Sequence, residues 1–263
     1  MKKTMTNKDI TWKLTTPPTD QGIADLVKQG VMTPDEARAI IFNKGKKTST
    51  GGKTTVVHLL VDQSGSMQNT RKSTVDGINE YINTLKEDGG KYKVSLTMFD
   101  SGMGNELRLD KPWNSIYIDD VPELKLEDYN PSGGTPLQDA FCTTLNEIKD
   151  RNDEKYLYVV LTDGYENTSK EYTAKDMKAM KKKLEAKENW TFVYLGANQD
   201  AFATSQVYDF APSNVSNFNT TDMGTNIMFA NLGAATRSYS ASASMSTANY
   251  FTPEQQKKNE ETK

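Results

Sequence analysis

A chain of 263 residues holds one large α/β domain or a domain with a small appendage, and an apolar fraction of 35% with a mean hydropathy of −0.71 points to solvated termini or loops around the core. A net charge of −3 and a pI near 5.4 argue against a nucleic-acid binder, which needs a basic stripe. The longest apolar run, around Leu59, falls far short of the ~20 residues of a membrane span. The basic residues near Met1 have no apolar stretch behind them, so no signal peptide is expected. One cysteine, Cys142, excludes an intramolecular disulfide and any multi-cysteine metal site. The expected location is the cytoplasm.

Residues 1–20, polar and carrying Pro17-Pro18, read as a flexible N-terminus. Residues 21–44 read as a small helical hairpin. Ile23, Leu26 and Val27 lie at helical spacing, and Thr33-Pro34-Asp35-Glu36 starts a second helix with a threonine cap and a proline in its first turn. A hairpin this small needs the main domain or a partner to dock on. Residues 45–53 form a glycine- and lysine-rich linker. Gly52-Lys53-Thr54 is not a phosphate loop, because Lys47 stands where the first glycine belongs and a strand follows.

The main domain is expected over residues 54–211, a C-terminal loop and helix packing on it over 212–250, and a polar tail over 251–263. Residues 56–61 form an apolar run typical of a strand buried on both faces. Val75, Ile78, Ile82 and Leu85 mark the next helix, which Gly89-Gly90 ends. Residues 93–99 are a second strand and Leu107 and Leu109 an antiparallel edge strand. An irregular crossing runs from Trp113 to Asp128. Leu137, Ala140, Phe141, Leu145 and Ile148 face one side of a helix, residues 156–161 are a strand, Met177, Met180 and Leu184 mark a helix, and residues 190–195 are a strand. Residues 207–210 are expected to be the last strand and 214–219 a polar loop. Met223, Ile227, Phe229, Leu232 and Ala235 outline a final helix, and the Lys/Glu-rich end is expected to be solvated. This order predicts an α/β fold: a doubly wound, mostly parallel sheet with helices on both faces and one antiparallel edge strand.

Three loops then fall at the carboxyl end of that sheet. Asp62-Gln63-Ser64-Gly65-Ser66 follows the first strand, Gly133-Gly134-Thr135-Pro136 enters a helix, and Thr162-Asp163-Gly164 ends a later strand. Asp62, Ser64, Ser66, Thr135 and Asp163 together offer two carboxylates and three hydroxyls, the oxygen donors that a hard cation such as Mg²⁺ prefers. The lone histidine, His58, sits within a buried strand, where a satisfied core role outweighs acid–base work, and no second histidine supports a nucleophilic pair.

In these three segments the sequence resembles the von Willebrand factor A family, in the form common in bacteria and phages, whose metal-ion-dependent adhesion site is D-x-S-x-S followed by a threonine and an aspartate in later loops. The resemblance implies a Rossmann-like fold over residues 54–211. It implies that Ser64, Ser66 and Thr135 bind Mg²⁺ or Mn²⁺ directly, with Asp62 and Asp163 acting directly or through water. It also implies a partner protein whose Asp or Glu completes the coordination, and no enzymatic activity. Glu166 and Asn167 lie near the site, on a loop expected to be solvated, and Glu254, Glu260 or Glu261 could occupy the site in cis. Two alternatives stand beside this: a structural or assembly component of a phage particle or multiprotein complex, braced by the ion, and a Mg²⁺-dependent phosphatase. The second usually needs an acid where Ser64 sits.

Overall fold

β1 (Thr55–Asp62) is buried along its whole length apart from a half-buried His58. A strand apolar on both faces is satisfied only in the middle of a sheet covered on each side, and β1 holds that position. The computed structural model describes residues 52–102, 104–197 and 201–260. The N-terminus, hairpin and most of the linker expected over residues 1–53 lie outside them. Contacts divide the chain into the units Met1–Thr48 and Ser49–Lys263, and the described residues belong to the second.

β1 pairs in parallel with β2 (Tyr92–Ser101) on one side and β4 (Lys155–Thr162) on the other. β5 (Trp190–Ala197) and β6 (Val215–Phe218) continue in parallel, and β3 (Leu107–Tyr117) closes the opposite edge antiparallel to β2. The order β3-β2-β1-β4-β5-β6 places the reversal of winding between β1 and β4, where doubly wound sheets open a crevice at their carboxyl ends.

Helices cover both faces. α1 (Arg71–Asp88) packs with the odd-numbered side of β1, through Val75, Ile78 and Leu85 against Val57, Leu59 and Val61. It ends at Gly89, whose φ of 67° closes a left-handed cap. α2 (Leu137–Glu147) and α3 (Ala174–Glu185) cover the other face, where Phe141 and Met177 meet Leu60, Tyr158 and Phe192. Thr173 and Asp176 form a capping box at the start of α3. A short α4 (Ala201–Val207) follows β5. α5 (Asp222–Ala241) lies beside α1, burying Met228, Phe229 and Leu232. Its last carbonyls accept hydrogen bonds from the buried Lys155 ammonium, including Tyr239 at 3.1 Å, a cation placed against the negative end of the helix.

Five expectations are corrected. β3 does not stop before Trp113: it runs through Pro112 to Tyr117, with register shifts against β2 and Ser115 at φ 52°. An edge strand tolerates both the proline and the bulges, because its outer N–H groups have no ladder partner to lose. Residues 207–210 are not a strand. Val207 ends α4, Asp209 turns the chain at φ 64°, and Tyr208 and Phe210 are buried against the β5 side. The last strand is β6, inside the expected polar loop, so the sheet extends past residue 211. The expected solvated tail instead forms α6 (Pro253–Glu260) against β6 and α5. There the buried Asn259 side chain accepts from Asn231 at 2.5 Å and donates to Ser216 at 2.8 Å. Met223, finally, is exposed instead of buried, and Met228 takes the core position in α5.

Candidate metal site

Because β1 and β4 are in register (Val61 opposite Leu161), Asp62 and Thr162 end the two central strands side by side. Asp62 is fully buried. Its Oδ1 accepts the Ser64 backbone N–H at 2.7 Å and its Oδ2 accepts the Thr162 hydroxyl at 2.6 Å. These bonds turn the chain sharply, so that Ser64 and Ser66 point back over the strand ends, their hydroxyls 3.1 Å apart. The Ser66 hydroxyl donates to Asp163 Oδ1 at 2.6 Å, joining the first loop to the third. Thr135 completes the group. A Cβ at Gly164 would lie 3.2 Å from Thr135 Oγ1 and 3.8 Å from Ser66 Oγ, so the glycine keeps open a cradle between the two hydroxyls. All five residues singled out in the sequence therefore meet.

Burial pushes the Asp62 carboxyl up to about 7, against the downward pull of its hydrogen bonds from Thr162 and Ser64 and with a smaller upward push from the Asp163 charge. Burial raises Asp163 as well. One buried and one half-buried carboxylate beside three hydroxyls make a group short of positive charge. Hard oxygen donors in that number fit Mg²⁺ or Mn²⁺ and not Zn²⁺, which favours nitrogen and sulfur. Among the described residues no group of three or more His, Cys, Asp or Glu is clustered for a metal, so hydroxyls supply most of this donor set.

The middle loop is held from several directions. The Gly65 N–H donates to Gly133 O at 3.1 Å, Ser132 N–H to Gln63 O at 2.8 Å, and Ser101 N–H to Gly134 O at 3.1 Å. Gly133 has a φ of 64°, and a Cβ there would fall 1.9 Å from the Ser101 carbonyl oxygen, so only glycine fits. Asp100 accepts from Arg108 and, at 3.0 Å, from the Ser132 hydroxyl. The buried Tyr129 hydroxyl donates to Asp62 O.

Glu166 and Asn167 form part of this framework, which corrects the expectation of a solvated loop. Asn167 Oδ1 accepts the Thr135 N–H at 2.8 Å, and its own N–H returns a bond to Thr135 O at 3.2 Å. Glu166 accepts the N–H groups of Gln138, Thr168 and Ser169 and the Ser169 hydroxyl. From the other side, Asp139 accepts the N–H groups of Lys170, Glu171 and Tyr172. The loops bearing Thr135 and Asp163 are thereby locked together. The sequence signal was an acid or amide just after each helix or strand terminus, where backbone donors lack partners.

The described contacts of the five residues include neither Glu254 nor Glu260, and Glu261 lies outside the described residues. His58 faces the α2 side. It stacks on Tyr158 with centroids 5.0 Å apart, approaches Thr97 Oγ1 at 3.3 Å, and borders a cavity of about 250 Å³. Burial, with Lys111 adding to it, lowers its pKa to about 3.

Comparison with known proteins agrees with this architecture. The model of the von Willebrand factor type A domain matches residues 57–228. No curated protein sequence matches significantly. Among solved structures, proximal thread matrix protein 1 from the mussel byssus superposes with a TM-score of 0.52 at 13% identity, over 71% of this chain and 46% of that one. The pilus adhesin SpaC from Lactobacillus rhamnosus GG, in its open conformation, does so with a TM-score of 0.56 at 15% identity, over 73% of this chain and 31% of that one. The chain thus spans less than half the length of either protein, and at these identities the likeness is one of fold. No helix among the described residues is long and apolar enough to cross a membrane.

Proposed function

Because the chain belongs to the von Willebrand factor type A domain family, we propose that it is a metal-dependent protein-interaction module. The observation that carries this reading is the convergence of Asp62, Ser64, Ser66, Thr135 and Asp163 from three loops at the switch point of the sheet. Ser64, Ser66 and Thr135 would hold Mg²⁺ or Mn²⁺ through neutral hydroxyls, with Asp62 and Asp163 supplying charge directly or through water. Held mainly by neutral oxygens, such an ion is an electrophile toward an outside carboxylate, and a partner's Asp or Glu would complete it. The framework residues keep the hydroxyls in place: Asn167 fixes Thr135, and the Ser64 N–H bond to Asp62 fixes the first loop.

The loops are already strapped to one another by the Gly65–Gly133, Ser101–Gly134 and Thr135–Asn167 bonds. That favours a binding role for the ion over mere bracing. No catalytic role is proposed. His58 precedes Asp62 by four residues of extended chain, about 13 Å, on a strand whose only imidazole stays neutral. The test is affinity capture with the wild type and Thr135→Ala, each in Mg²⁺ and in EDTA, with circular dichroism as a folding control. A partner retained only by the wild type in Mg²⁺ supports the proposal. Equal capture in all four conditions refutes it, and unfolding on chelation would instead favour a bracing ion in a structural component.

A further inference from the structure

The sheet face under α2 carries a row of rings that stops short. On neighbouring strands, Phe192, Tyr158, His58 and Ser95 stand side by side in register. The Tyr158 and Phe192 centroids lie 5.8 Å apart, and His58 stacks on Tyr158 at 5.0 Å with the rings 10° from parallel. These spacings follow from the separation of paired strands and suit stacked rings. On β2 the row meets Ser95, which is too small to continue it. β3 bulges beside this point, and Ser115, at φ 52°, donates its N–H to Ser95 Oγ at 2.8 Å. α2 ends close by at Glu147. What remains is the cavity of about 250 Å³, bordered by His58, Ser95, Thr97, Thr144 and Ile148 and by none of the five metal-site residues. His58 is half-buried in a strand otherwise buried because its imidazole opens on this space.

We infer that this cavity binds a small neutral aromatic molecule of one or two rings, which stacks on His58 as the next ring of the row. The size agrees, since an apolar cavity of about 150 Å³ holds benzene. The charges at the border are already paired. Glu147 binds Lys111 at 2.5 Å, and Glu154 binds Lys93 at 2.7 Å and accepts the Tyr156 hydroxyl at 2.8 Å. A cationic ligand would meet Lys111 without an open carboxylate, and an anionic one would compete with Glu147 for Lys111, while the exposed Lys149 keeps its charge in water. Burial and Lys111 keep the imidazole neutral, with a pKa of about 3. The Ser95 hydroxyl, whose proton has no acceptor among the described residues, offers one donor to the polar edge of the ligand. A few such groups orient a ligand in a site of this kind.

The test uses indole as the probe, with binding to the full chain followed by calorimetry and saturation-transfer NMR in EDTA, so that the result is independent of the metal site. Saturable binding with a Kd of about 1 mM or tighter is expected for a ligand of this size. Cyclohexanol, which has no ring face, and indole-3-carboxylate, which adds a charge, should each bind about threefold or more weakly. Ser95→Phe builds the next ring into the chain itself and should abolish indole binding. His58→Leu keeps an apolar side chain without a ring face and should weaken it about threefold or more; it decides the matter if circular dichroism shows Ser95→Phe to be unfolded. No saturable binding would mean a cavity filled by water alone and would overturn the inference. Equal or tighter binding of cyclohexanol or indole-3-carboxylate, or unchanged indole affinity in a folded variant, would overturn it as well.

Discussion

Replacing His58 by Phe removes the only imidazole in the chain, and its effect on stability should change sign with pH. In the folded protein the His58 pKa is lowered from 6.5 to about 3 by burial, with Lys111 adding to the effect. Between those values the unfolded chain carries a proton that the folded one lacks, so stability is lost as pH falls below 6.5, at about 1.4 kcal/mol per pH unit. At about pH 5 this amounts to about 2 kcal/mol. Phenylalanine keeps the stack on Tyr158 and loses the 3.3 Å contact with Thr97, a cost of about 1 kcal/mol at any pH. The wild type should therefore be the more stable protein by about 1 kcal/mol at about pH 7.5 and the less stable by a similar margin at about pH 5. Asp62, raised to about 7, pulls the other way. It is protonated in the folded state and ionised in the unfolded state over the same range, so its contribution falls as pH rises, and it cancels because both proteins contain it. Urea unfolding followed by tryptophan fluorescence in EDTA measures both differences. A wild-type-to-variant difference that stays constant to within about 0.5 kcal/mol across this range would show that His58 protonates equally in both states, and burial would then have no hold on its proton.

Three further outcomes follow from the site and its supports. Asn167→Ala should weaken Mn²⁺ binding by about tenfold or more, the usual effect of removing an outer support of a metal ligand, while the circular dichroism spectrum is retained; unchanged affinity would exclude Asn167 as the residue that positions Thr135. Gly133→Ala forces a side chain toward the Ser101 carbonyl at a positive φ, which should cost about 1–3 kcal/mol in urea unfolding, and an unchanged midpoint would contradict the need for glycine in this loop. Asn259→Ala leaves Asn231 and Ser216 without their buried partner, at about 1–3 kcal/mol; a variant as stable as the wild type would mean that α6 is not held in this way.

The central sheet and the five site residues were legible in the sequence because each rests on a local rule. β1 is apolar on both faces, Gly89 stops a periodic helix, and oxygen-bearing residues follow strands at the ends where such sheets bind ligands. The missed elements depend on distant contacts. Val215-Ser216-Asn217-Phe218 is too short and polar to announce a strand, and it becomes one because β5 offers an open edge and Asn259 satisfies Ser216. Val207, Tyr208 and Phe210 look like a strand by composition, but the turn at Asp209 sends Tyr208 and Phe210 into the core from outside the sheet. α6 has almost no apolar face, and its place is fixed by amide hydrogen bonds that hydropathy does not register. Glu166 and Asn167 read as solvated because the bonds that tie their loop to the Thr135 loop, from the Gln138 and Thr135 N–H groups, come from nearly thirty residues away in sequence or more.

Cation binding by the five residues is the property on which the proposed function depends most directly. Mn²⁺ titration, read by electron paramagnetic resonance on the wild type and on Thr135→Val, isolates one hydroxyl while preserving the shape of a buried side chain. Saturable binding by the wild type and a loss of about tenfold or more in the variant are expected, with matching circular dichroism spectra. No saturable binding by the wild type, or the same affinity in both proteins, would contradict a metal held by Thr135 and its neighbours.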